Sequence, residues 1–150
     1  MDIVKEFQFS ASPDRIATIL LSKELADKRM SMLKISDYTH TCSDTDAHTE
    51  AKMSSDKLPS IAQKVVKNGV HISIDTKREG NTISYAFDAH GLPVKLSLHE
   101  ELSGSDTTSL SLKAHFSINV PLVGASIEKK AAPYVDKVLA QDIAFIKELI

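Results

Sequence analysis

Four consecutive segments between residues 70 and 118 alternate apolar and polar side chains with period two, and this run constrains the fold more than any other feature of the chain. Val70, Ile72 and Ile74 come first, then Ile83, Tyr85 and Phe87. Leu96, Leu98 and Leu102 follow, and Leu110, Leu112, Ala114, Phe116 and Ile118 close the series. The stretches "REGN", "HGLP" and "SGSD" separate the segments with turn-forming residues. The intervening positions carry Ser73, Asp75, Ser84, Asp88, Ser97, His99, Ser111, Lys113 and His115. Such alternation predicts an antiparallel meander with one face covered and the other in water. The cover has to come from elsewhere in the chain.

The C-terminal segment supplies it. Placed at 100° steps from Gly124 onward, Ile127, Ala131, Tyr134, Val135, Val138, Leu139, Phe145, Ile146 and Leu149 fall in one broad arc. Lys129, Asp136, Lys137, Ala140, Ala144 and Lys147 fall opposite. A helix of about 26 residues spans ~39 Å, enough to cross a sheet. Pro133, which lacks an N–H, is expected to kink or divide it. In the junction "NVPLVGASIEKK", Pro121 is expected to end the strand ladder, and Gly124 to free the backbone where the chain reverses.

The first half of the chain is less regular. Residues 2–9 read as a strand. Ser12 caps a helix with Pro13 in its first position, and Ser22 caps a second that runs towards Leu33. Residues 34–42 and 46–55 read as two weak strands around "SDTD". Rich in Thr and Ser, they suit a sheet margin or the lining of something wetter than a core. "KLPSIAQKVVKNG" reads as a short helix, with Pro59 near its start, Ile61, Val65 and Val66 inside, and Asn68-Gly69 as its stop.

Bulk properties narrow the class. With 150 residues, no repeat and no linker, the chain is expected to form a single domain, 1–150. A formal charge of −2 offers no broad basic field for nucleic acid. No apolar stretch is long enough to insert stably in a membrane, and no signal peptide is visible. The lone Cys42 cannot form an internal disulfide, and the expected location is cytoplasmic.

Two acids interrupt the apolar arc of the last helix: Glu128 near its edge and Asp142 near its middle. A buried carboxylate must be paired, protonated or wet. Asp142 therefore either pairs with a cation or a strand group, or anchors the polar end of a ligand. Glu128 either stabilises the first helical turn through the dipole or rims a cavity mouth. Some 14 residues apart, or ~21 Å along a helix, the two cannot form one catalytic carboxylate pair.

The element order is strand, two short helices, six strands with a small helix interposed, and a long last helix. Together with "LP" at Leu58-Pro59 and "VPLVGASIE" at residues 120–128, it resembles the START and polyketide-cyclase-like superfamily (SRPBCC), which includes the birch pollen allergen family. Within it, the chain resembles an actinobacterial family of uncharacterised proteins. The resemblance implies an α+β helix-grip fold: a seven-stranded curved antiparallel sheet wrapped around the long C-terminal helix, with two short helices after strand 1. It also implies a cavity between sheet and helix. Superfamily members bind lipids, sterols, polyketides, hormones or flavonoids, and some catalyse cyclisation or aromatisation. Fold alone does not choose among these.

Motifs for chemistry are sparse. The five glycines form no phosphate loop, and neither C-x-x-C nor H-E-x-x-H occurs. His40, Cys42, His48 and Glu50 sit on one proposed hairpin but lack diagnostic metal spacing, so no metal or cofactor is assigned. His71, His90, His99 and His115 are assigned to turns or the solvated face. No catalytic residue is assigned.

The candidate ligand-binding residues are inward amphipathic groups and their apolar neighbours. Tyr85 and Tyr134 offer phenols that find either a protein partner or a ligand's polar end. Tyr38 and His40 share one face of a weak strand. Phe87, Leu98, Phe116 and Val138 shape an apolar wall, with Glu128 and Asp142 as polar anchors. The expected partner is a small hydrophobic molecule, lipid or polyketide-like, and no protein partner is indicated. The alternatives are a cyclase or aromatase using acid–base groups in the same cavity, and a protein-interaction module.

Overall fold

The computed structural model describes residues 1–57, 60–63 and 68–150. Leu58-Pro59, Val65 and Val66, and the side chain of Ile61, on which part of the short-helix expectation rests, lie outside the described residues. The strands are β1 (Asp2–Phe9), β2 (Asp37–Cys42), β3 (Asp46–Met53), β4 (Val70–Glu79), β5 (Thr82–Ala89), β6 (Val94–Gly104) and β7 (Thr108–Ile118). The helices are α1 (Pro13–Leu21), α2 (Lys23–Met32), α3 (Ser60–Gln63) and α4 (Gly124–Leu149), with one 3-10 turn at Ser55–Lys57. The α+β helix-grip architecture expected from the element order is what the chain adopts.

All seven strands form one antiparallel sheet in the order β1-β7-β6-β5-β4-β3-β2. Strands β2 to β7 are a meander, and β1 closes on β7 from Asp2↔His115 to Phe9↔Thr108. The polar β2 is an edge strand, as its Thr-rich composition suggested. Strands β5 and β6 pair only from Thr82↔Glu101 to Ala86↔Ser97, although both continue towards the turn between them. Their last residues therefore splay apart.

Local chemistry sets the helix ends. Ser12 accepts from Arg15 N and Ser22 from Leu25 N, so α1 and α2 start on side-chain caps as read from sequence. The end of α2 departs from expectation. Lys34 takes a left-handed backbone, φ 58°, while Lys34 N donates to Ser31 O and Ile35 N to Met30 O. This is the Schellman arrangement, and Ile35 packs against Met30 across it. It consumes three residues that alternation assigned to a strand, so β2 begins at Asp37.

The packed core sits at one end of the grip. Ile16, Leu25, Ile83, Leu110 and Ile146 are all but fully buried, each contributing ~1.5–3 kcal/mol by leaving water. Phe9, Leu20, Leu102 and Leu112 belong to the same cluster, with Ile143, Phe145 and Leu149 of α4 packed alongside. Helix α4 continues through Pro133 as one helix of 26 residues, so the expected division does not occur. Of α4, only Gly124 and Ile146 are fully buried. Its C-terminal end is embedded in the core, whereas its middle stands off the sheet.

At the β7–α4 junction the left-handed residue is Leu122, φ 71°, and not Gly124. Gly124 serves a close approach instead: a Cβ there would fall well inside contact distance of the Ile118 carbonyl oxygen.

Candidate functional site

Where α4 stands off the sheet, a cavity of ≈ 340 Å³ remains. Strands β4 to β7 supply Ile74, Tyr85, Phe87, Leu96, Leu98, Ala114 and Phe116 as one wall. Helix α4 supplies Tyr134, Val135, Val138, Leu139 and Asp142, and Ala26, Arg29, Met30 and Leu33 close the space from α2 and its end. The strand wall follows from the pleat: residues in phase with Tyr85 and Leu98 face α4. A second hollow of ≈ 540 Å³ lies where β5 and β6 splay, and it shares Phe87 and Leu96 with the first.

Eight of the ten candidate ligand-binding residues are brought together around the first cavity: His40, Tyr85, Phe87, Leu98, Phe116, Tyr134, Val138 and Asp142. Two are placed elsewhere. The Tyr38 hydroxyl donates to Asp27 Oδ1 at 2.7 Å, and its ring packs beside Met30, Ile35 and Ala51. Glu128 Oε1 accepts the backbone N–H of Ile118 at 2.7 Å, tying α4 to the end of β7. That bond replaces the expected dipole role, since Glu128 lies beyond the first turn of α4.

Asp142 pairs with a cation in the cavity wall. Its two oxygens accept from Arg29 Nε at 2.6 Å and Arg29 Nη2 at 2.8 Å, and both side chains reach the cavity wall. Arg29 and Asp142 retain only 24% and 16% side-chain exposure, so this bidentate pair is largely withdrawn from water. Burial works against the Arg29 charge, yet Asp142 outweighs it and holds the guanidinium firmly protonated.

Behind this pair lies Glu100, only 3% exposed, at the Tyr85 hydroxyl, which donates to Glu100 Oε2 at 3.3 Å. Burial pushes the Glu100 carboxyl up to about 7; Arg29 opposes the rise, and Asp142 adds to it. Burial, reinforced by Glu100, also drives the Tyr85 phenol well above its ordinary range, so it stays a neutral donor. Asp142 takes the guanidinium's Nε and Nη2 bonds, and the Arg29 charge offsets only part of the burial cost at Glu100.

On the β2 side, His40 Nε2 lies 3.0 Å from the Leu21 carbonyl and Nδ1 lies 2.7 Å from Thr49 Oγ1. A carbonyl only accepts, so the neutral ring carries its proton on Nε2 and accepts from Thr49 through Nδ1. Thr49 and Thr76, both buried, are the remaining inward polar groups of the β3–β4 wall. Among the described residues, no buried side-chain nitrogen or oxygen lacks a partner. The pleat also divides the hairpin set once weighed for metal: His40 faces the cavity, while His48 and Glu50 flank Thr49 and face outward.

Arg29 and Glu100 were not among the residues singled out from sequence, although both carry a readable signal. Glu100 stands in phase between Leu98 and Leu102, where alternation calls for an apolar residue. Arg29 stands four residues after Leu25, on the helix face that also buries Ala26 and Met30.

Solved structures share this architecture at low identity. A START superfamily protein from Mycobacterium smegmatis superposes with a TM-score of 0.64 at 15% identity, over 98% of this chain and 97% of that one. The Zhui aromatase/cyclase from a Streptomyces species gives 0.59 at 9% identity, over 99% and 90%. Norcoclaurine synthase from Thalictrum flavum, a point mutant with a transition-state analogue, gives 0.57 at 14% identity, over 99% and 92%. These likenesses show the START-like fold. None of the curated proteins matches the chain. A family described as "Protein of unknown function (DUF2505)" matches residues 5–150.

Proposed function

The chain belongs to the DUF2505 family, and from that premise and the cavity geometry we propose that it binds one small hydrophobic molecule, lipid or polyketide-like, between the sheet and α4. The observation that carries this reading is the ≈ 340 Å³ space with apolar walls and one polar corner. Ligand sites of ~300–1,000 Å³ with few convergent polar groups are the common form of small-molecule pocket. Filled cores leave no such volume, because interiors pack to crystal-like density. The polar corner orients the ligand: Tyr85 and the Arg29–Asp142 pair meet a hydroxyl, carbonyl or carboxylate, while Phe87, Leu98, Phe116 and Val138 take the hydrocarbon. Tyr134, 51% exposed, stands where the cavity meets solvent.

Catalysis of the cyclase or aromatase type has one observation in its favour, the Tyr85–Glu100 hydrogen bond, which could pass a proton from the cavity wall to a buried carboxyl. Against it, Asp142 is committed to Arg29 and Glu128 to Ile118 N–H, so neither acid named from sequence is a free base. Binding without catalysis is the reading supported best.

The test uses native mass spectrometry of the purified chain and titration of the delipidated chain with a fluorescent fatty acid. The Ala114→Trp variant puts an indole into the cavity. The expected outcome is saturable one-to-one binding for the parent chain and a loss of at least about tenfold in affinity for the variant, with an unchanged circular dichroism spectrum. Absence of any bound species together with no probe uptake, or equal affinity in the variant, refutes the proposal.

A further inference from the structure

On the sheet face opposite the cavity, β3, β4 and the residue after β5 bring Glu50, His71 and His90 together. One carboxylate oxygen and two imidazole nitrogens lie within 4.8 Å of one another. The pleat dictates the face: Thr49 and Ile74 line the cavity, so His48, Glu50, His71 and Ser73 turn away from it. We propose that Glu50, His71 and His90 form a binding site for a transition-metal dication of the zinc class.

The donors touch one another directly or through one shared hydroxyl. His71 Nε2 lies 2.5 Å from Glu50 Oε2, and the His71 and His90 rings stack with centroids 4.2 Å apart and planes at 26°. His90 Nε2 lies 2.7 Å from Ser73 Oγ, which is 2.9 Å from each Glu50 oxygen. With zinc bonds of ~2.0–2.2 Å, tetrahedral donors sit ~3.3 Å apart, which small side-chain rotations of these half-buried and exposed groups reach.

A second ring of groups orients the donors. Asp88 Oδ2 stands 3.4 Å from His90 Nδ1, leaving Nε2 for the ion. His48 Nε2 holds Glu50 Oε1 at 2.8 Å, and His48 Nδ1 is itself held by Asp75 Oδ1 at 2.6 Å. Carboxylates behind imidazoles are the usual outer shell of zinc ligands. Two imidazoles and one carboxylate select zinc, copper or nickel over calcium and magnesium, which prefer all-oxygen sets. Three protein donors leave a fourth position for water or another ligand.

The experiment titrates zinc chloride into the untagged, chelator-stripped full chain by isothermal calorimetry. One site of micromolar or tighter affinity is expected, and His71→Gln and His90→Gln each weaken it by at least about tenfold. His99→Gln is the control, an outward histidine facing Glu101 at 3.6 Å, and leaves affinity unchanged. On the parent chain, zinc shifts the Nε2 resonances of His71 and His90 in side-chain nitrogen spectra but not those of His99 and His115. No saturable binding, binding that survives both Gln variants, or nitrogen shifts at His99 or His115 overturns the proposal.

Discussion

Replacing Glu100 with Gln tests the polar corner most directly, because its effect changes with pH in a direction set by the structure. An unfolded glutamate titrates near 4.5, and Glu100 in the folded chain near about 7. Between those values the folded chain binds the proton that the unfolded chain has lost, so folding stability falls as pH rises through the window. It is fully present below about pH 4.5 and lost above about 7. The gap is worth about 3 kcal/mol at ~1.4 kcal/mol per pH unit. Glutamine keeps the shape and an acceptor for the Tyr85 hydroxyl but never ionises. Urea unfolding followed by far-ultraviolet circular dichroism is the assay, with parent and Glu100→Gln compared at about pH 4.5 and about pH 8.5. The two are expected to lie within ~1 kcal/mol at the lower pH, with the variant ahead by about 3 kcal/mol at the higher. Groups that do not interact with Glu100 contribute equally to both chains and cancel in the difference. A stability difference that does not change between the two pH values, or a parent chain favoured at the higher one, refutes a buried, uncompensated Glu100.

Two further perturbations address the frame of the cavity. Arg29→Met leaves Asp142 in the cavity wall without its cation and is expected to cost about 3 kcal/mol, with Arg29→Met/Asp142→Leu recovering most of it. A double-mutant cycle by urea unfolding checks this, and a cost below ~1 kcal/mol would mean that water replaces the pair. Gly124→Ala is expected to destabilise by ~2–4 kcal/mol because the new Cβ collides with the Ile118 carbonyl oxygen. Helix propensity alone predicts the opposite sign, a gain of up to ~1 kcal/mol, so a thermal melt separates the two arguments.

The parts of the fold legible in the sequence were those where one interaction dominates. From β4 to β7, burial of a single face governs every position, and period two is visible without tertiary knowledge. Ser12, Pro13 and Ser22 were legible because capping is local chemistry. The end of α2 was not, since a lysine, not a glycine, takes the left-handed position after Leu33. Nothing in the residue itself announces a conformation that the Met30–Ile35 contact stabilises from outside. The junction before α4 misled for a related reason. Glycine admits two explanations, an unusual dihedral or a close neighbour, and only the placement of Ile118 over Gly124 decides for the second.

The candidate site shows a sharper division. Its apolar wall is the same alternation that defines the sheet, so Tyr85, Phe87, Leu98 and Phe116 were readable as inward residues. Whether inward means packed core or open cavity depends on how far α4 stands from the strands. That distance follows from where α4 is anchored: Ile146 is buried in the core at one end and Glu128 bonds Ile118 N–H near the other. Between the two anchors the helix bridges a curved sheet, and side chains the size of valine and leucine do not reach across. Charged residues on apolar faces mark the same region. Asp142 on α4, Arg29 on α2 and Glu100 on β6 each violate the pattern of their own element, and they converge only when the three elements are brought together. A lone violation reads as noise in a sequence. Three violations that meet, two of them in the wall of one cavity and the third buried behind them, mark that corner as the polar end of a mostly apolar space.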